Sequence, residues 1–105
     1  MQDRTTILER LRKVKHEFLP NDKLILFGSQ ARNEATPDSD WDLLIILDKP
    51  KREPKDTTYY RDPFIRLGIE LNEYFSTKIY SRDEWDRSKP SLFYHNVQID
   101  GIEIV

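Results

Sequence analysis

Residues 26–47, LFGSQARNEATPDSDWDLLIIL, hold two short apolar runs separated by a polar segment. The runs KLILF (23–27) and WDLLIIL (41–47) have the length and apolar content of buried strands. Gly28 breaks the first run, the segment SQARNEA that follows can hold a short helix, and TPDS (36–39) has the composition of a loop. The stretch therefore predicts a unit of strand, turn, short helix, loop and strand.

Two aspartates lie at the start of the second apolar run. Because successive side chains of a strand point to opposite faces, Asp40 and Asp42 are expected on one side of the sheet, with Trp41 and Leu43 on the other. Neighbouring carboxylates repel each other, and a bound divalent cation removes that repulsion. Oxygen ligands suit Mg²⁺ or Mn²⁺, and Mg²⁺ commonly takes one or two carboxylates together with phosphate oxygens. The aspartate pair is therefore a candidate metal site.

The residues before the aspartates offer a binding site for phosphate. Gly28 lets the backbone approach a ligand closely, and the N–H groups at the start of the following helix would face an anion together with the Ser29 hydroxyl. Arg32 lies one turn further on and can donate a fork of hydrogen bonds to phosphate oxygens. Each feature alone is commonly structural. Together they favour a phosphoryl-transfer site, in which positioning and charge neutralisation provide most of the catalysis.

The stretch GSQARNEATPDSDWDLLII resembles the signature of the DNA polymerase beta-like nucleotidyltransferase superfamily in its minimal (MNT) form: G-S-x-A-R-G, a short spacer, then S-D-x-D-L. The matching residues are Gly28, Ser29, Ala31, Arg32, Ser39, Asp40, Asp42 and Leu43. Asn33 stands where many members have Gly, and Asn also tolerates a left-handed backbone. A weaker resemblance extends over nearly the whole chain, which implies one minimal nucleotidyltransferase domain over residues 1–105.

The resemblance implies an activity and roles for the matching residues. Members transfer a nucleoside monophosphate from an NTP to a hydroxyl, and pyrophosphate leaves. Gly28 and Ser29 would hold the β- and γ-phosphates, and Asp40 and Asp42 would be catalytic and bind Mg²⁺ or Mn²⁺. Arg32 and Ser39 would complete the nucleotide-binding set, with ATP as the expected substrate.

The resemblance also implies a partner protein. Minimal nucleotidyltransferases are often the antitoxin half of a pair with a HEPN ribonuclease, so we expect a helical HEPN-type partner, to which AMP would be added. Because the sequence has 105 residues, we do not expect the further substrate-binding domain of an antibiotic-modifying transferase.

One position departs from the family pattern. Counted back from YSRDEW, the third metal-binding carboxylate of the family falls on Ser76. A serine hydroxyl is a poor Mg²⁺ ligand and a poor base, and Glu70 or Glu73 could substitute only if that segment folds differently. We therefore expect Mg–NTP binding with slow or absent transfer unless a partner donates the missing acid. The alternative is a catalytically silent nucleotide-binding module that acts by binding a partner.

The remainder of the chain predicts alternating helices and strands. Residues 6–19 have helical spacing, with Thr6 and Glu9 as a capping box. Residues 57–75 fit a helix or a strand, and Asp62-Pro63 favours a helix from about residue 63. A third strand (76–81), a short helix capped by Ser81 and Glu84, a helix over 91–99 and a terminal strand after Gly101 follow. The fold class is α/β (α+β): a small mixed β-sheet with helices packed on it.

Composition narrows the range of functions. The chain has 105 residues, of which 34% are charged, with a net charge of −2 and no cysteine. That net charge does not favour nucleic-acid binding, which would rest only on the basic residues of the charged loop DKPKREPKD (48–56). This segment is either a solvated loop or an arm that touches a nucleotide or a partner. Without cysteine there are no disulfides or thiolate metal sites. No apolar stretch has a signal-peptide pattern or approaches the roughly 20 residues of a membrane span, so we expect a cytoplasmic protein without membrane contact.

Overall fold

The computed structural model describes residues 3–105, which form one mixed four-stranded sheet in the order β3-β2-β1-β4, with helices on both faces. The elements are α1 (Arg4–Phe18), β1 (Lys23–Phe27), β2 (Trp41–Leu47), α2 (Pro54–Leu71), β3 (Phe75–Ser81), α3 (Arg82–Arg87), α4 (Leu92–Asp100) and β4 (Ile102–Ile104). The predicted fold class is confirmed. Within this part of the chain, no helix is both long and apolar enough to cross a membrane.

The strand register brings three chain segments to one end of the sheet. β1 is antiparallel to β2 and pairs Phe27 with Asp42, while β2 is parallel to β3 and pairs Asp42 with Ser76. The end of β1 therefore meets the starts of β2 and β3. The loop after β2, residues 48–53, lies at the opposite end of the sheet because it follows the last residue of that strand.

Both faces of β2 are covered, which explains why its sequence is almost continuously apolar. Trp41, Leu43, Ile45 and Leu47 pack in one buried cluster with residues of α1 and α2. Leu44 and Ile46 belong to the opposite face and pack with aromatic and aliphatic residues of α3 and α4. Asp42 is the one residue of β2 that is only partly buried, and it lies on the α3–α4 face.

The predicted start of α1 is wrong by two residues. The N-cap is Asp3, whose side chain accepts a hydrogen bond from the Thr6 backbone N–H at 2.8 Å. Aspartate is at least as favourable at the N-cap as threonine, and Asp3 precedes Thr6 in the chain. The helix therefore starts directly after Asp3, and the predicted capping box of Thr6 and Glu9 does not form. The helix itself is confirmed.

Residues 63–71 are helical, as favoured, and Asn72 follows with a left-handed φ of 54°, but the predicted start of the helix is wrong. α2 begins at Pro54, with Glu53 as N-cap and the Glu53 N–H donating to Asp56 Oδ2 at 2.7 Å. Pro54 occupies the first turn, where N–H groups have no acceptor within the helix, so that the missing N–H of proline costs no hydrogen bond. Pro63 lies buried inside the helix. The predicted loop over 48–56 is therefore three residues too long, because residues 54–56 form the first turn of the helix.

The last third of the chain folds as predicted. β3 begins at Phe75, one residue before its predicted start, and α4 and β4 occupy the predicted segments. At the start of α3, the Glu84 N–H donates to Ser81 Oγ at 3.1 Å and the Ser81 N–H donates to Glu84 Oε1 at 2.8 Å, which confirms that capping box.

Candidate active site

The two aspartates lie at the start of β2 and interact electrostatically. Asp42 is the second residue of the strand and Asp40 immediately precedes it. Partial burial raises the pKa of the Asp42 carboxyl above its usual value, and the neighbouring charge of Asp40 raises it further. The positive charges of Lys78 and Arg32 act in the opposite direction but do not cancel the effect. The protein therefore holds a partly buried carboxylate beside another one, an arrangement that favours a bound cation.

Gly28 lies directly against Asp42, and its backbone requires a glycine for two reasons. Its φ angle is 76°, in the left-handed region that side chains rarely adopt. A Cβ atom at this position would also overlap Asp42 Oδ2. The predicted close approach of the backbone at Gly28 is thus made to the carboxylate itself.

The segment after Gly28 forms a single turn, and the short helix predicted over SQARNEA is wrong. The N–H groups of Ala31 and Arg32 both donate to the Gly28 carbonyl at 3.1 Å, and the Glu34 N–H donates to the Ser29 carbonyl at 2.9 Å. Asn33 then takes φ 58°, which ends the helical path. Asn33 thus adopts the left-handed backbone that the sequence tolerates there.

The start of the turn leaves adjacent backbone donors without a protein acceptor. Within residues 3–105, the N–H groups of Ser29 and Gln30 have no hydrogen-bond partner. They are adjacent and follow the residue that contacts Asp42. Successive free N–H groups in a tight turn form a concave anion-binding site, which does not require a full helix.

Gln30, which sequence reasoning missed, fixes this turn. Its side chain is buried and donates from Nε2 to the Ser39 carbonyl at 3.3 Å, while its own carbonyl accepts from Arg4 at 2.6 Å. The Arg4 guanidinium in turn lies 5.9 Å from the Trp41 ring. Gln30 thereby joins the turn to the loop before Asp40. A variable position in the motif pattern gave no signal for this role.

The other predicted nucleotide-binding side chains lie close by but have partners. Ser39 Oγ accepts from the Thr36 N–H at 2.9 Å and shapes the loop before Asp40. Arg32 is exposed, with Nε 3.1 Å from Glu34 Oε1 and Nη1 3.7 Å from Asp100 Oδ2. Arg32 is near enough to Asp42 to lower its pKa, so it belongs to the charge environment of the site.

The position of the missing third carboxylate is adjacent to Asp42. Ser76 is the register partner of Asp42 on the neighbouring strand and is partly buried. Glu70 pairs with Arg10 of α1, on the sheet face away from Asp42. In the described residues, no group of three or more His, Cys, Asp or Glu side chains is placed to hold a metal ion. The site thus contains two carboxylates.

Lys78 is a second residue at this site that sequence reasoning missed. It follows Ser76 by two residues on the same strand, so both side chains lie on the face of Asp42. Its ammonium group lies 5.6 Å from the centre of the Phe93 ring. The signal was available in the strand alternation of STKIYS, in which the first and third residues share a face.

These features agree with the comparison to known protein families. Residues 8–90 match the model of the nucleotidyltransferase domain, and the chain belongs to this family. The resemblance in the motif is thereby confirmed at the level of the family. A search of curated proteins found no match.

Several solved structures share the fold. A toxin–antitoxin complex with AMP-PNP superposes with a TM-score of 0.62 at 15% identity, covering 93% of this chain and 72% of that chain. A double aspartate-to-glutamate variant of the toxin–antitoxin complex MntA–HpeT gives a TM-score of 0.63 at 13% identity, with the same coverage. A protein described as a nucleotidyltransferase from Sulfolobus solfataricus gives 0.61 at 23% identity, covering 94% of this chain and 79% of that chain.

Proposed function

We propose that this chain is a single minimal nucleotidyltransferase domain over residues 1–105 that binds Mg–ATP and transfers AMP to a hydroxyl. One observation carries the proposal: the turn with two free N–H groups begins at Gly28, whose backbone lies against the Asp42 carboxylate. An anion-binding turn in contact with a cation-binding carboxylate suits a metal–triphosphate, which presents both charges together.

The residues present fit a divalent cation. Asp40 and Asp42 repel each other and partial burial disfavours the charge on Asp42, and a bound cation would remove both costs. Oxygen ligands suit Mg²⁺ or Mn²⁺, which when bound would neutralise phosphate charge. The free N–H groups of Ser29 and Gln30 would then donate to the terminal phosphates. Arg32 would donate to phosphate oxygens after exchanging its contact with Glu34.

The pairing of β2 with β3 explains why we expect the transfer of AMP to be slow. The acceptor hydroxyl must lose a proton as it attacks the α-phosphorus, and the position beside Asp42 holds Ser76 in place of a third carboxylate. The same observation favours a second candidate function, a nucleotide-binding module that acts through a partner without turnover. A partner protein that supplies an acid at this position would restore transfer.

The proposed partner is a helical protein of the HEPN type, with this chain as the antitoxin half of the pair. The support is the shared fold with two structures of toxin–antitoxin complexes, one of them with AMP-PNP. We place the pair in the cytoplasm, where ATP and Mg²⁺ are both available. Neither membrane nor nucleic acid has a role in the proposal.

Labelled ATP tests the transfer directly. The chain, alone and mixed with an extract of its host cells, is incubated with Mg²⁺ and ATP labelled at the α- or the γ-phosphorus. Label on protein from α-labelled ATP only, lost in Asp42→Asn and kept in Asp86→Asn, is the expected result. Label from γ-labelled ATP would contradict nucleotidyl transfer. No label from either, with intact nucleotide binding, would favour the silent module.

A further inference from the structure

Arg32 and Lys78 are the two cations that act on the charge of Asp42, and they differ in their carboxylate partners. Arg32 contacts Glu34 and Asp100. For Lys78, no carboxylate oxygen in the described residues lies within 4.0 Å of the ammonium nitrogen. Lys78 is also exposed. It is therefore a positive charge free to meet a ligand.

An aromatic group supports the Lys78 side chain on the face of Asp42. The Lys78 ammonium lies 5.6 Å from the Phe93 ring centre, and that ring packs edge-on against Phe27 with their centres 5.2 Å apart. Phe27 is the register partner of Asp42 on β1. The two phenylalanines thus connect the lysine to the strand row that contains Asp42.

With Ser76 in place of a carboxylate, the site would need another positive charge to neutralise a bound triphosphate. A second divalent ion would require carboxylates beyond the Asp40–Asp42 pair, and Ser76, the register partner of Asp42, offers a hydroxyl. A triphosphate with a single divalent ion still carries net negative charge. A lysine ammonium is a compact positive charge with three donors, and it needs no carboxylate to hold it.

We propose that Lys78 binds the triphosphate of the nucleotide and takes the place of the second cation, so that the site works with one divalent ion and one lysine. This inference rests on the proposed nucleotide-binding function. An ammonium group neutralises phosphate charge but does not activate an acceptor hydroxyl as a metal ion does. A site with Lys78 in place of a second metal ion would therefore bind the nucleotide tightly but transfer AMP slowly.

Calorimetry with a non-hydrolysable ATP analogue and Mg²⁺ tests this role. Lys78→Ala is expected to raise the Kd about tenfold or more, and Lys78→Arg to keep most of the affinity. Lys89→Ala, which removes an exposed lysine 3.8 Å from Asp86, is the control and should leave the Kd unchanged. AMP should bind weakly to wild type, and Lys78→Ala should change its Kd little, because AMP lacks the β- and γ-phosphates.

The outcomes separate this inference from the proposed function. Tight binding by wild type with an unchanged Kd in Lys78→Ala would overturn the role of Lys78 and leave the nucleotide site intact. A lowered Tm in Lys78→Ala without a change in Kd would show that the lysine only supports Phe93, and would overturn it equally. No binding by wild type would overturn both proposals.

Discussion

The two ends of the β-sheet differ in how their charged side chains are paired. At the end that carries residues 48–53, four ion pairs join positive and negative side chains: Lys49–Asp56, Arg52–Glu84, Lys55–Glu53 and Arg82–Asp48. At the end that carries Asp40 and Asp42, like charges are adjacent, and two backbone donors and one lysine lack protein partners within residues 3–105. Paired charge stabilises a protein by itself, whereas unpaired charge gains a partner only when a ligand binds. This difference supports the proposal that the end with Asp40 and Asp42 binds the ligand.

The paired end is held by charge-assisted hydrogen bonds. Arg52 binds Glu84 through two contacts of 2.8 and 3.1 Å, and Lys49 Nζ lies 2.7 Å from the buried Asp56. The hydrogen bonds from Arg52 and from the Ser81 N–H lower the pKa of Glu84 to about 2. Three of the four basic residues of the segment 48–56, Lys49, Arg52 and Lys55, are thus paired with the protein's own carboxylates. The cavity beside Arg87 contains the paired Arg52 and Glu84, together with Lys51 and Asp83, which have no ion pair in the described residues.

The unpaired end shows the reverse electrostatic effect. The pKa of Asp42 is raised, by burial first and by Asp40 second. A raised carboxyl pKa means that the ionised form is less stable in the folded protein than in the unfolded one. Asp42 therefore costs stability at neutral pH, as expected of a residue retained for binding.

The largest effect at the site end is expected for Gly28→Ala. The substitution places a methyl group on Asp42 Oδ2 and forces alanine into a left-handed backbone. We expect nucleotide binding to be lost and the free energy of unfolding to fall by about 2 kcal/mol or more. Chemical denaturation and calorimetry measure the two quantities. If Gly28→Ala costs as much in an Asp42→Ala background, the contact between the two residues does not matter.

Ser76→Asp adds a third carboxylate at the end of the sheet that holds Asp40 and Asp42, and it tests whether the missing acid limits transfer. The new carboxylate would lie beside Asp42, where it can bind an additional divalent ion. We expect transfer from α-labelled ATP to rise about tenfold or more, and the free protein to become less stable without Mg²⁺. Ser76→Asn is the matched control without charge. A folded Ser76→Asp protein with an unchanged rate would contradict this account of the missing acid.

A smaller effect, on stability alone, is expected at the paired end. Glu84→Gln weakens the contact with Arg52 and should lower the free energy of unfolding by about 1–2 kcal/mol, since both side chains are partly solvated. Nucleotide binding should not change. Asp86→Asn on the same helix, whose only partner is 3.8 Å away, is the control and should have little effect. A loss of nucleotide affinity in Glu84→Gln would break the distinction between the two ends.

The pH dependence of this contact follows from the pKa of Glu84. The folded value of about 2 lies below the ordinary value of 4.5, so the ionised group stabilises the fold at pH above 4.5. That stabilisation is lost as pH falls from 4.5 towards 2. Glu84→Gln should therefore flatten the fall in stability over this range, which denaturation at a series of pH values measures.

The sequence predicted which residues meet at the site better than it predicted their local geometry. The strands follow from apolar runs, which are local patterns, whereas the meeting of Gly28 and Asp42 depends on the pairing of β1 with β2. The helix expected after Gly28 depended on propensity, and the backbone of Asn33 ended it after one turn. The start of α2 is predicted too late, because Pro63 resembles a first-turn proline but lies inside the helix. The register that sets Ser76 beside Asp42 is a tertiary property, and the sequence predicted that position only through the family resemblance.

Calorimetry on Asp42→Asn tests the central claim most directly. Wild type and Asp42→Asn are titrated with a non-hydrolysable ATP analogue in Mg²⁺ and in EDTA, and the Tm of each free protein is recorded. The account predicts Mg²⁺-dependent binding by wild type, its collapse in Asp42→Asn, and an equal or higher Tm for the variant, because a disfavoured charge is gone. Binding that persists in EDTA or in Asp42→Asn, or no binding by wild type, would contradict it.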